Sequence, residues 1–227
     1  MEWPFAASFR ALLRPGEAFE GDPPGLGKAV LDMALIWVPL ALLNAVWTVI
    51  RGLRVYESLR GGAVPIQALE WLRLDPGDVQ ELMATLPAPP TFGQLWPWLI
   101  LLVPLGVLGT WLHHAVWDHG GLWLLGGLGA RGGFRTSLLA EAQALRIAAV
   151  GTLVGLLGFL PGLGAWLILP LLLLDAYLWL FRGFALAARH GCEPWRGLGA
   201  TVVHAVLLGC GFLGLFTLLI SLIRVAP

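Results

Sequence analysis

Ala165-Trp-Leu-Ile-Leu-Pro-Leu-Leu-Leu-Leu-Asp175-Ala-Tyr-Leu-Trp-Leu-Phe181, with its continuation to Leu186, is long and apolar enough to cross a bilayer, yet carries an aspartate near its middle. A span needs about 20 mostly apolar residues. An ionisable side chain in hydrocarbon costs several kcal/mol and is normally turned toward a protein neighbour or a wet cavity. This stretch therefore identifies a membrane-spanning helix and predicts a partner for Asp175.

Four other windows read the same way, so the chain is expected to be an all-α, polytopic membrane protein. Its five transmembrane helices fall at about 29–50, 95–117, 138–160, 165–186 and 199–223. The composition agrees, with 58% hydrophobic and 12% charged residues and a mean hydropathy of +0.79. Soluble domains carry about 25% charged residues. Fourteen basic residues balance fourteen acidic ones. With no basic excess to hold a phosphate backbone, nucleic acid is not an expected partner.

The organisation expected is an interfacial segment over residues 1–28 followed by a five-span domain over 29–227. Residues 51–93 would form an extracytoplasmic helical cap. The first 28 residues lack a secretory pattern, because Glu2 precedes any basic residue and no small-residue cleavage site follows a short apolar run. Phe5, Phe9, Leu12 and Leu13 recur at helical spacing before Arg14-Pro15-Gly16, as in an amphipathic helix lying in the interface. A second surface helix is expected over Ile66–Leu74. A third starts at Asp75 as N-cap with Pro76 at the first helical position.

Eight of the fourteen Lys and Arg residues would face the cytoplasm if the amino terminus does: Arg10, Arg14, Lys28, Arg131, Arg135, Arg182, Arg189 and Arg196. Arg51, Arg54, Arg60, Arg73 and Arg224 would lie opposite. The excess favours a cytoplasmic amino terminus. Cys192 and Cys210 are placed too differently for a disulfide or a zinc pair. Gly151-x-x-x-Gly155 and the row Thr201, Ala205, Gly209 are small faces that permit close helix approach. They serve internal seams or a homo-oligomer equally well.

Certain phrases recur in an order that resembles the Yip (Ypt-interacting protein) domain family in its short bacterial members. They are Phe9-Arg-Ala-Leu-Leu-Arg-Pro15-Gly-Glu-Ala-Phe19, then His113-His114 at a span end, Gly126–Phe134, the turn Leu160-Pro-Gly-Leu-Gly164, and Arg189-His-Gly191. The resemblance covers about Phe9 to Ile223 and implies a five-span bundle with a cytoplasmic amino terminus. Eukaryotic members associate with Rab GTPases through a longer region carrying an Asp-Leu-Tyr-Gly-Pro motif. That motif has no counterpart here, so Rab binding is not implied.

The chemistry-bearing candidates are Asp175, Arg146, Glu141, Arg182, His113, His114 and His204. Treating the third and fourth spans as a hairpin turning at Pro161–Gly164 brings Glu141 level with Arg182. It sets Asp175 about 6 Å deeper than Arg146. Two ion pairs are thus expected, Glu141 with Arg182 and Asp175 with Arg146, beside the three histidines in one half of the bundle. His114 and Asp118, one turn apart, have the spacing of two metal ligands. Gly120-Gly121 would end that helix at once, so no metal and no cofactor is expected.

Three functions fit. The leading one is a membrane-organising or interaction protein without catalytic activity in the bacterial cytoplasmic membrane, contacting lipids, a protein partner or a second copy. The second is a small transporter or lipid-moving protein using the polar cluster. The third is an intramembrane hydrolase centred on Glu141, His113 and His114. Glu141 is followed by Ala142 and not by the second glutamate of prenyl-protein-type proteases, although Arg146 has the right offset. Motifs for acyl-serine, phosphate-loop or dinucleotide chemistry are missing.

Overall fold

The computed structural model describes residues 4–61, 75–129, 132–157 and 164–225. It contains seven helices among them: α1 (Pro4–Leu13), α2 (Leu26–Arg60), α3 (Pro76–Thr85), α4 (Phe92–Leu124), α5 (Phe134–Leu156), α6 (Gly164–His190) and α7 (Pro194–Val225). No strand occurs among the described residues. Five helices, α2 and α4 to α7, are long and apolar enough to cross a membrane. This is the all-α, five-helix multi-pass architecture expected from the composition.

The helices overrun the sequence windows because hydropathy marks the apolar stretch and not the hydrogen-bonded ends. Residues 51–60, assigned above to the cap, continue α2. Likewise, α4 runs through Gly120 and Gly121 to Leu124. The reason at Gly121 is spatial: a Cβ there would lie 2.8 Å from the carbonyl oxygen of Ala200. The glycine admits the backbone of α7 rather than ending α4. The expected surface helix at Ile66–Leu74 lies outside the described residues, as does the expected turn at Pro161–Gly164 up to Gly164, which opens α6.

The chain forms two compact units, Met1–Leu40 with Gly106–Pro227, and Ala41–Leu105. In the second, the Asp75 carboxylate caps α3 by accepting from Gly77 N at 2.7 Å. Tyr56 Oη donates to Pro87 O at 2.9 Å and Arg60 Nε to Leu86 O at 3.1 Å, which ties the end of α2 to the segment after α3.

In the first unit α5 is the most enclosed helix. Its alanines 140, 142, 144 and 149 are buried, and their small side chains let neighbours approach closely. Leu178 of α6 seats directly on Gly151, whereas Gly155 faces open space, so only half of the Gly151–Gly155 pattern is a seam. The tightest crossing joins α6 to α7: a Cβ on Gly183 would lie 2.7 Å from Leu198 Cα.

The amino-terminal segment is docked as well as amphipathic. Leu12 and Phe19 join Ala140, Ala144, Ile147, Phe181, Ala185 and Leu186 in one core cluster, while Phe9 and Leu13 stay exposed. Polar ties hold it in place: Tyr177 Oη donates to Leu12 O, and Arg189 bridges Gly21 O (3.1 Å) and Gln143 Oε1 (2.7 Å).

Candidate functional site

Two layers of polar side chains occupy one half of the first unit. The inner layer is built from Asp118 on α4, Glu141 on α5, Arg182 on α6 and His204 on α7. These residues lie about 9–15 Å from the nearer ends of their helices at 1.5 Å rise per residue. All four are buried, with Arg182 the most exposed at 2%. His113 and His114, a turn earlier on α4, complete the cluster: their rings lie 5.1 and 5.5 Å from that of His204.

Asp118 is the hub. Its Oδ1 accepts from His204 Nδ1 at 2.6 Å, and its Oδ2 stands 3.2 Å from Arg182 Nη2. The second contact is close in distance but not aligned as a hydrogen bond. Because an ionised carboxylate only accepts, His204 donates through Nδ1. In a neutral ring its Nε2, 3.2 Å from His113 Nε2, is then the acceptor there. Arg182 also donates from Nε to Trp179 O at 3.3 Å and lies 4.1 Å from the centre of the Trp179 ring, a cation–π contact.

Glu141 brings a second carboxyl group within reach of Asp118. Neither of its oxygens has a conventional hydrogen-bond partner. Two carboxylates at that range repel unless one carries a proton. The cluster is thus one matched ion pair plus an extra acid.

The outer layer, nearer the helix ends, sets the hydroxyl of Ser137 between two imidazoles. His119 Nδ1 and His190 Nε2 each lie 2.9 Å from Ser137 Oγ. With one proton and two lone pairs, the hydroxyl can donate to one ring while accepting from the other. A serine beside a histidine has the ingredients of a nucleophile, but Ser137 is completely buried and His190 Nδ1 has no partner.

Of the residues expected to converge, Glu141, Arg182, His113, His114 and His204 are brought together, and Asp175 and Arg146 are not. The expected Glu141–Arg182 ion pair is replaced by Asp118–Arg182, because α4 continues past Trp117 and carries Asp118 into the same layer. The expected Asp175–Arg146 pair does not form. Asp175 is exposed in a groove between α6 and α7, bordered by Leu172, Ala176, Trp179, Val202 and Ala205. Arg146 is on α5 and half-buried, and neither has an ion-pair partner among the described residues.

The spacing of His114 and Asp118 does not translate into a metal site. Asp118 is engaged by His204 and Arg182, and among the described residues no three His, Cys, Asp or Glu side chains converge to hold an ion. The outer Ser137 trio and the role of Asp118 were missed from sequence. The i, i+4 relation of Ser137 to Glu141, which puts both on one face of α5, was the available signal. No family model, curated protein or solved structure matches the chain.

Proposed function

We propose that this chain is a non-catalytic membrane protein that organises or contacts partners in the bilayer, with its polar interior acting as a register lock for the helices. The observation that carries this reading is the sealing of the Asp118–Arg182–His204 cluster. All three side chains are at most 2% exposed, and the neighbouring helices meet at backbone distance at Gly121 and Gly183. A solute pathway needs wetted ionisable groups, and a hydrolase needs substrate access to its nucleophile.

In this reading the chain is a short bacterial-type Yip protein of the cytoplasmic membrane with its amino terminus inside. The phrase order from Phe9 to Ile223 supports the family and the Lys/Arg distribution supports the orientation. Purified protein in liposomes loaded with a pH-sensitive dye and labelled lipids should hold a proton gradient and leave lipid asymmetry intact. Glu141→Cys should resist membrane-impermeant thiol reagents. Rapid gradient collapse abolished by Glu141→Gln would overturn it.

One observation favours a second reading as a small proton-linked transporter. Glu141 is a buried acid without a cation of its own, next to Asp118 and the histidines. The same liposome assay separates the two.

A further inference from the structure

Asp175 is a charged residue that the polar cluster leaves out. It is the tenth residue of the 25-residue apolar segment Trp166–His190, near mid-membrane depth, and is exposed. In water an exposed aspartate needs no explanation, but in a bilayer it does. Lipid chains can cover Leu172 or Val202 at no cost, and they offer a carboxylate nothing.

Among the described residues of the same unit no cation pairs with it. Arg182 is engaged with Asp118, Arg189 with Gln143 and Gly21, and Arg196 with Glu193 and Gly126. Arg146 is on α5, whereas the groove is walled by α6 and α7. The groove itself has about 660 Å³ of free space, with the small residues Ala176 and Ala205 in its lining between larger Leu172 and Val202. Small residues flanked by larger ones let a neighbouring helix approach to backbone range. Behind the groove Trp179 is fixed, donating from Nε1 to Thr201 O at 2.8 Å and stacked against Arg182.

We infer that the α6–α7 groove docks a transmembrane helix of a partner protein that carries a lysine or arginine at mid-membrane depth, with Asp175 as its counter-charge. The argument is charge complementarity. A lone cation on a membrane helix has the same difficulty as a lone carboxylate, and bringing them together removes both. This rests on the interaction-protein reading and names its partner's chemistry.

The test uses the full chain in liposomes and a synthetic apolar helix of about 20 residues with one central lysine. A matched helix with central leucine is the control, and association is read by energy transfer between dyes. The lysine helix should associate about 3- to 30-fold more strongly than the leucine helix, the range expected for one interhelical polar contact. The preference should vanish in Asp175→Asn and persist in Asp175→Glu. Ala205→Leu, which fills the groove and leaves the charge, should weaken it too. Unchanged melting of each variant reports intact folding.

Equal association of the two helices, or full association with Asp175→Asn, overturns the inference. So does photobleaching that counts two copies in the wild type and one in Asp175→Asn, which would assign the groove to a second copy. Cross-linking of Asp175→Cys within one copy to a cysteine in residues 41–105 would assign it to the chain itself. Failure of the helix to bind while the liposomes hold their gradient removes the docking site alone. Gradient collapse removes the interaction reading.

Discussion

Asp118 Oδ2 and Arg182 Nη2 stand 3.2 Å apart with 0% and 2% of their side chains exposed, on helices separated in sequence by all of α5. Removing one partner of a buried pair leaves the other charge uncompensated and typically costs about 3–5 kcal/mol, whereas replacing both by apolar groups is often close to neutral. Arg182→Met should therefore destabilise the protein by that amount in chemical unfolding in micelles. Asp118→Leu/Arg182→Met should be milder than the sum of its single changes. Strict additivity would mean that the two side chains do not act as a pair.

The two ends of the Gly151–Gly155 pattern and the Gly183 crossing give a graded test of close approach. Gly183→Ala puts a methyl 2.7 Å from Leu198 Cα, an overpacking expected to cost about 1–3 kcal/mol. Gly155→Ala meets nothing within 4 Å and should be neutral or stabilise by up to about 1 kcal/mol. Thermal unfolding of the two variants side by side decides it, and equal effects would refute the seam assigned to Gly183.

Arg189 ties the amino-terminal segment to the bundle through Gly21 O and Gln143 Oε1. Arg189→Met should loosen residues 14–25 while the helices persist. The expected signs are faster proteolysis in that segment and a loss of about 1–3 kcal/mol of its docking energy. Unchanged cleavage kinetics would show that Phe19, packed 5.4 Å from Phe181, holds the segment unaided.

Burial pushes the Cys192 thiol up from its ordinary value. Its folded pKa then exceeds its unfolded pKa, so its stabilising contribution is complete below the unfolded value and fades as pH rises through the folded one. In a Cys210→Ser background, iodoacetamide alkylation of folded protein should reach half-maximal rate at higher pH than alkylation of unfolded protein. Coincident profiles would contradict this.

Much of the architecture was legible because apolar length is a one-dimensional signal, readable from windows such as 165–186. The polar interior was only partly legible. Hairpin register assigns depth, and depth correctly brought Glu141 level with Arg182. It says nothing about direction around the helix axis, and it cannot choose among acids at one level. Asp118 was weighed only as a weak metal ligand beside His114, since Gly120-Gly121 reads as a helix end, although in the bundle Gly121 admits a neighbour's backbone. Asp175 and Arg146 were joined by a reach argument that ignored which helices border each side chain.

The order of these groups along the chain bears on biogenesis. Asp118 and Glu141 leave the ribosome on α4 and α5 before Arg182 exists, and His204 comes last, on α7. The acids must be held neutral or kept near the aqueous edge of the insertion machinery until the α6–α7 hairpin arrives carrying both of Asp118's partners. A chain stopped before that hairpin would lack both of Asp118's partners and leave two carboxyl groups without the cation of the finished cluster.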